Sequence, residues 1–432
     1  MLCFPGIRAR SRLISSQCLF FLVFIFVYAG IIEHLRAVDA SDPSSLFFNS
    51  TRAHERRYTS IRIREANDFA ENLTANVQHW RASANPSFCV GIVTVQRNDT
   101  DYFKTLIGSL LEGLSPLERH DFILMPFIAH VDPNVHQAYN ESWLQYIADR
   151  IITYEDVPEV DTTRLRDLES PEGHREKALY DYSHMLESCF QSGAPYVVML
   201  EDDVLAADGW FQYTRAAVKE LESCAEYGRS IYLRLFYNTG IQGWNSEHWP
   251  FYLFWSVLFE LFLLALVHVL CHKSTVASKF FTRQTTYGIL IAFGPACIAL
   301  YFSAGRLTVR PYPHGIHQMN NYGCCSQALV FPRQQVTPLL EYLRGRRVGF
   351  RDSLIEEYAD HRKLIRWALT PTVFQHVGTR SSKWKGPGSE EMDRNGRTSV
   401  EKIWNYQFES LDASELRLRH ELQQDPGDRY MT

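Results

Sequence analysis

The sequence predicts an α/β domain on a largely parallel sheet, held to a membrane by an N-terminal helix and interrupted by a two-helix membrane hairpin. Three observations carry this reading. Short β-branched runs alternate with helical patterns from residue 88 onward, the arrangement that gives a parallel sheet with helices on both faces. An apolar stretch near the N-terminus is longer than the core of a secretory signal. Two more apolar stretches, deep in the chain, each reach the ~20 residues that a helix needs to cross a bilayer.

The first element is a short tail, 1–13, followed by a span over 14–32. Arg8, Arg10 and Arg12 precede the span and Glu33, Asp39 and Asp42 follow it. Basic residues favour the cytosolic side, so the tail is expected in the cytosol and the chain after the span in the lumen. No small-x-small cleavage site follows Tyr28, which favours a retained anchor over a cleaved signal. A polar, helix-prone stem occupies 33–86. The domain then begins with a strand at 88–95 (FCVGIVTV), a helix at 101–114 and a strand at 122–131, whose middle Pro126 weakens. A strand at 150–154 and a helix at 174–191 follow, the helix being closed by Ser-Gly-Ala-Pro. The strand at 196–200 runs straight into Glu201-Asp202-Asp203; a helix at 210–224 and a strand at 231–237 complete the first part of the domain, 87–250.

The inner spans are 251–271 and 286–304. Their link, 272–285, carries Lys273, Lys279 and Arg283 and no acid, so it is expected in the cytosol, with the hairpin entering and leaving from the lumen. Glu260 lies inside the second span, where a carboxylate is costly unless it faces another helix. Beyond the hairpin a strand at 327–331, helices at 336–343 and 352–358, and the segment 371–376 resume the pattern. Residues 305–432 contain too few strands for a sheet of their own, so one domain split around the hairpin is expected in preference to two.

Composition fits this plan. The 432 residues are 46% hydrophobic and 22% charged, as in globular proteins. A net charge of −5 supplies no basic excess to neutralise phosphates, which excludes nucleic acid as the main partner. Nine cysteines include no CxxC pair. Cys3, Cys18, Cys271 and Cys297 lie in or beside the spans. Cys89, Cys189, Cys224, Cys324 and Cys325 remain, enough for two disulfides and one free thiol in an undetermined pairing. Sequons at Asn49, Asn72, Asn98 and Asn140 all fall in the first lumenal segment.

Ligands of open α/β sheets bind at the carboxyl ends of the strands. Gln96-Arg97-Asn98 and Glu201-Asp202-Asp203 both sit at such ends, which places them in one crevice. Three consecutive carboxylates repel one another unless a cation or several donors neutralise them. A hard divalent cation shared with substrate phosphates is the simplest answer, and it suits a sugar-diphosphate donor whose leaving group gathers charge. A solvated acidic turn is the alternative; the apolar strand before it and the helix after it favour the site.

The segment YVVMLEDDV at 196–204 resembles the metal-binding motif of GT-A glycosyltransferases. Together with VGIVTVQR at 90–97, Arg175-Glu176-Lys177 in a helix, and FQHVG at 374–378 followed by Ser381-Ser382, it is similar to the N-acetylglucosaminyltransferase IV group. The three-span layout departs from that group. It looks instead like the post-GPI-attachment-to-proteins factor 4 family, Golgi transferases of N-acetylgalactosamine onto the GPI-anchor glycan. The resemblance covers about 87–380. It implies a GT-A (Rossmann-like) fold, a UDP-sugar donor such as UDP-GalNAc, Mn²⁺ or another divalent cation, and a Golgi membrane location with the catalytic domain in the lumen. Its expected acceptor is a mannose of a lipid-held GPI glycan, which a hairpin in the same bilayer suits.

By the same resemblance Asp203 binds the metal, Glu201 and Asp202 hold the metal shell and the ribose, and His376 completes the metal or phosphate site. A core histidine is the plainer reading of His376. Arg97 and Lys177 are candidates for the uracil and diphosphate, with surface charges as the alternative. Inversion requires a base for the acceptor hydroxyl. The resemblance favours Asp352 at the start of the helix in GFRDSLIEE, 349–357, where aspartate otherwise serves as an N-cap; Glu356, one turn on, is the second candidate. Tyr322-Gly-Cys-Cys-Ser-Gln-Ala-Leu329 is the expected acceptor-side loop. An N-glycan N-acetylglucosaminyltransferase and a non-catalytic membrane scaffold on a degenerate transferase fold are the competing functions.

Overall fold

A computed structural model describes residues 6–38, 41–73, 81–97, 101–156, 161–170, 172–321, 323–378 and 402–423. Asn98, Tyr322 and Ser381-Ser382, which the sequence attached to the site, lie outside these residues. The chain divides into two units, one formed by 1–54 with 242–311 and the other by 55–241 with 312–432.

The second unit is a mixed α/β domain. Its strands, among the described residues, are β1 (Phe88–Thr94), β2 (Phe122–Ile128), β3 (Tyr196–Glu201), β4 (Val204–Ala206), β5 (Ser230–Arg234), β6 (Gly315–Gln318), β7 (Ala328–Pro332), β8 (Ile365–Thr370) and β9 (Phe374–His376). Seven of them form one sheet in the order β2-β1-β3-β7-β5-β8-β6, and β4 pairs separately with β9. Strands from before and after the hairpin therefore share one sheet.

The expected largely parallel sheet is corrected to a mixed one. β1 pairs in parallel with β2 and β3, and β5 with β8, whereas β7 lies antiparallel between β3 and β5, and β6 antiparallel to β8. Parallel neighbours need a crossover that returns the chain to the starting edge, usually a helix. β7 instead starts at the carboxyl edge, with Ala328 opposite Leu200, and therefore runs back against β3 and β5. The expected strand at 150–154 reduces to a single bridge between Ile152 and Phe127. It lies outside β2, where Ile152 donates its amide to the Pro126 carbonyl at 2.8 Å. Pro126 is tolerated because its missing N–H belongs to this outer side of the sheet.

The principal helices of this unit are α1 (Tyr58–Glu71), α2 (Tyr102–Leu111), α3 (His174–Gln191), α4 (Trp210–Glu222), α5 (Arg333–Arg346), α6 (Arg351–Arg362) and α7 (Ala413–Gln423). Alternation along the strands sends Val90, Ile92, Val198 and Leu200 into one apolar layer with residues of α1, α2 and α4. Cys89, Val197 and Met199 enter the opposite layer with residues of α3, α5 and α6. The Cys89–Cys189 disulfide fastens β1 to α3. Gly91 lets the helix approach closely, since a Cβ there would meet Met185 at 3.0 Å and Cys189 at 3.2 Å. Cys324 and Cys325 are joined to each other, and Cys224 is a free thiol. Helix α1 lies in the stretch expected as stem; its buried Arg62 donates to Ala206 O at 2.9 Å and Ser109 O at 2.8 Å.

The first unit contains, among the described residues, three helices long and apolar enough to cross a membrane. The first runs from Gly6 to Val38 and the second from Trp249 to Lys273. The third is assembled from Arg283–Gly288, a π-helical turn at Ile289–Phe293, and Gly294–Ser303. The first lies along the third. Near its start Gln17 donates to Phe280 O in the link at 2.6 Å, midway Tyr28 donates to Ala296 O at 3.1 Å, and Phe24 packs on Phe293 at 4.4 Å. Beyond its end Leu46 donates to Ser303 O at 2.9 Å, while Asp42 accepts from the Thr308 amide at 2.9 Å. Glu260 does face another helix. Its carboxylate abuts Gly294, where a Cβ would collide with both oxygens.

Candidate functional site

Because β1 and β3 are parallel neighbours, with Val93 opposite Glu201, the turns after them share one edge. Asp202 is buried there and accepts from the Thr94 hydroxyl at 3.1 Å, the Val95 amide at 3.3 Å, and Arg97. Arg97 also donates to Asp203 Oδ2 at 3.1 Å. Pairing of β4 with β9 sets Val204 opposite His376, so His376 Nε2 lies 3.6 Å from Asp203 Oδ2. The Val377 amide donates to the Asp203 carbonyl at 2.9 Å, and a Cβ at Gly378 would strike the Asp203 carboxylate. Glu201 accepts from Ser326 Oγ at 2.9 Å and pairs with Arg351 at 2.5 Å, and Arg351 Nε donates to Ser326 Oγ at 2.8 Å. Arg97, Glu201, Asp202, Asp203 and His376 are thus brought together.

The other candidates are placed differently. Asp352 is half-buried in the first turn of α6, next to Arg351, and accepts from the Ser353 amide at 2.8 Å; the N-cap position belongs to Phe350. Glu356, one turn on, points into the protein. It accepts from Tyr232 Oη at 2.6 Å, Arg234 Nη2 at 2.6 Å and Arg366 Nε at 2.5 Å. Lys177 is buried, donating to Ala129 O at 2.7 Å and to Asp181 at 2.9 Å; Asp181 in turn accepts from Tyr154.

The three carboxylates are neutralised largely from within: Glu201 by Arg351, Asp202 by Arg97, and Asp203 by Arg97 and His376. Burial raises the Asp202 carboxyl above its ordinary pKa, although Arg97 draws it back. Burial acts the same way on Asp203, but the neighbouring His376 and Arg97 outweigh it and hold that carboxyl below the usual range. Asp203 in turn raises His376 against the opposing effect of burial. One oxygen remains over. Among the described residues, Asp203 Oδ1 is buried without a hydrogen-bond partner, as is His376 Nδ1. A carboxylate oxygen and an imidazole suit a divalent cation that takes its other ligands from phosphates and water, so these residues fit such an ion. A second acidic group among the described residues, Glu65, Glu112 and Asp208, brings its carboxylate oxygens within 4.8 Å of one another but is occupied by arginines. Arg62 pairs with all three, and Arg417 with Glu65 and Asp208.

A small cleft adjoins the acidic turn, lined by Arg97, Tyr102, Phe103, His136 and Asp202 among others. The Arg97 guanidinium lies over the Tyr102 ring at 5.1 Å. His136 Nε2 is 3.0 Å from Thr94 Oγ1. Since that hydroxyl donates to Asp202, the network assigns the proton to His136 Nε2. Burial lowers the His136 pKa to about 4, so the ring is neutral.

Sequence reasoning passed over Arg351, Arg234, Arg366 and His136, and named Ser326 only as part of the expected acceptor-side loop. Arg351 had one visible signal, its place just before Asp352. The rest are single polar residues in strands or loops, whose partners lie far away in the chain.

A model of the family described as GPI-N-acetylgalactosamine transferase PGAP4 matches residues 88–375. The chain is also similar to the alpha-1,3-mannosyl-glycoprotein 4-beta-N-acetylglucosaminyltransferase-like protein MGAT4D of Rattus norvegicus. They are 24% identical over 165 residues, 36% of this chain and 43% of that protein. With alpha-1,3-mannosyl-glycoprotein 4-beta-N-acetylglucosaminyltransferase A of Xenopus tropicalis the identity is 25% over 162 residues, 35% of this chain and 30% of the relative. The chain spans less than half the length of these curated relatives.

Proposed function

The chain belongs to the family described as GPI-N-acetylgalactosamine transferase PGAP4, and from that premise we propose that it transfers N-acetylgalactosamine from UDP-GalNAc to a mannose of the GPI-anchor glycan, with inversion, through a GT-A-type domain. The observation that carries this is the meeting of Glu201, Asp202 and Asp203 with Arg97 and His376 at one sheet edge, with Asp203 Oδ1 unpartnered among the described residues.

Asp203 and His376 would hold the cation, with Glu201 in the surrounding shell. The chemistry a divalent ion such as Mn²⁺ would supply there is positive charge for the donor diphosphate and for departing UDP. Asp202, fixed by the turn after β1, holds the ribose. Arg97, reaching across the cleft, takes uracil or diphosphate. Lys177 is tied to Asp181 and Ala129, so we assign it to supporting the edge beyond β2 in place of the donor contact first expected. Asp352 takes the proton of the acceptor hydroxyl as its oxygen bonds to the anomeric carbon and the sugar–phosphate bond breaks on the opposite face. The electron pair leaves on UDP. Glu356 is the weaker candidate for that proton because two arginines and a tyrosine engage its carboxylate.

The domain faces the Golgi lumen in this reading, with the N-terminus in the cytosol. Two observations support the topology. One sheet contains strands from both sides of the hairpin, so the hairpin must cross the bilayer an even number of times. The start of the first span lies at the hairpin link and its end at the exit of the third, as the basic residues require.

The partial likeness to 4-beta-N-acetylglucosaminyltransferases favours a second reading, an N-glycan enzyme. Full-length protein in detergent, given UDP-GalNAc or UDP-GlcNAc with GPI-glycan or N-glycan acceptors, separates the two. The proposal requires N-acetylgalactosamine on the GPI glycan, in inverted linkage, and loss of turnover in EDTA. Use of UDP-GlcNAc on N-glycans alone, or full activity in EDTA, would refute it.

A further inference from the structure

The segment 323–327 contains features that this function leaves unused. Cys324 and Cys325, adjacent in sequence, are bridged to each other. Cys325 is buried and has φ of 81°, a left-handed conformation that is unfavourable for a residue with a side chain and persists where its surroundings impose it. Arg234 grips the pair: its Nη1 donates to Cys324 O at 2.7 Å and also to Cys325 O. Arg234 is itself buried and secured by Tyr232 and Glu356. Gly323 lies against the same network, since a Cβ there would meet Arg234 Nη2 at 2.9 Å and Glu356 Oε2 at 3.0 Å. The next residue, Ser326, joins Glu201 to Arg351. Gln327 then accepts the Glu201 amide at 3.0 Å.

We propose that the Cys324–Cys325 bridge and Arg234 form a clamp that presents Ser326 to Glu201 and Arg351, and so aligns the acidic turn after β3 with the start of α6. A ring closed through consecutive residues removes the backbone freedom that would otherwise let Ser326 swing away. A hydroxyl making two directional bonds needs that restraint, because displacement breaks both. All four are positioning residues acting through Glu201 and Arg351. The inference rests on the reading of Glu201 as part of the donor site.

The test uses full-length protein in detergent, comparing C324S/C325S, S326A and the combined variant, with C89S/C189S as a reference bridge. UDP affinity in Mn²⁺ is measured by calorimetry, and hydrogen exchange is followed at 196–203. C324S/C325S and S326A should each weaken UDP binding by roughly tenfold, and their combination by no more than the worse of the two, because they act on one contact. Exchange should rise at Glu201 while β1 stays protected. C89S/C189S should lower the melting temperature and leave UDP affinity within about twofold, since it staples the core away from the edge. Unchanged affinity and exchange in C324S/C325S, or additive losses, would overturn the clamp. Should C324S/C325S fail to fold, S326A decides through the same two readouts. A wild type that binds no UDP with any divalent cation would defeat the functional reading, and the exchange comparison would still decide the clamp.

Discussion

Asp352 and Glu356 stand one helical turn apart, and their substitutions should fail in different ways. Glu356 receives three hydrogen bonds, from Tyr232, Arg234 and Arg366, and both guanidinium groups are buried. Glu356→Gln removes the negative charge that balances them while keeping the shape. Breaking a buried ion pair by removing one partner costs ~3–5 kcal/mol, because the remaining charge stays desolvated. For a domain of this size that is a fall in melting temperature of roughly 6–10 °C. Asp352 is half-buried and, among the described residues, accepts only the local Ser353 amide, so Asp352→Asn should melt within about 2 °C of wild type. The assay follows melting at a fixed scan rate, UDP affinity and turnover on the same preparations. Asp352→Asn should bind UDP and lose turnover by roughly a hundredfold or more, as expected for a general base. A Glu356→Gln protein that melts like wild type yet does not turn over would refute this reasoning and make Glu356 the base.

Three further outcomes are expected. Asp203→Asn keeps the size of the side chain but removes its charge, and should cost more than ~90% of transfer, at least 1.4 kcal/mol in barrier, with the circular dichroism spectrum unchanged. Retained activity above that level would remove Asp203 from the metal shell. His136, only 4% exposed and with its pKa lowered to about 4, takes up protons more readily when unfolded. Stability should therefore be complete above pH ~6.5 and fall toward pH 4, by up to about 3 kcal/mol; His136→Leu should flatten that fall, and an unaltered acid profile would exclude the ring as its source. A cysteine placed at Ser278 in the hairpin link should label from the cytosolic side and one at Ser60 should be protected there, since Lys273, Lys279 and Arg283 set the hairpin. Lumenal labelling at Ser278 would reverse the topology.

What could be read without coordinates is what a local period or a run of composition encodes. Helix α3 was legible at both ends, from its apolar spacing and the Ser-Gly-Ala-Pro stop. The strand running into Glu201-Asp202-Asp203, the three apolar helices and the five soluble-part cysteines, enough for two bridges and a free thiol, were equally visible. The nearness of Arg97 to the acidic turn followed from one general property of parallel strands, that their carboxyl ends share an edge. Long-range pairing was not visible. The reversal of β7 depends on the edge from which a loop arrives, and the short strands β6 and β8 lack a pattern strong enough to stand apart from loop and helix. His376 reaches Asp203 only because β9 pairs with β4. Charge was the least legible of all, since a letter for glutamate or lysine is the same in water and in a core. Only packing shows that Glu356 and Lys177 are enclosed by partners away from the acidic turn, while Asp202 and Asp203 are enclosed at the sheet edge beside Arg97 and His376, because burial converts a surface charge into one that must be matched by a neighbour distant in sequence.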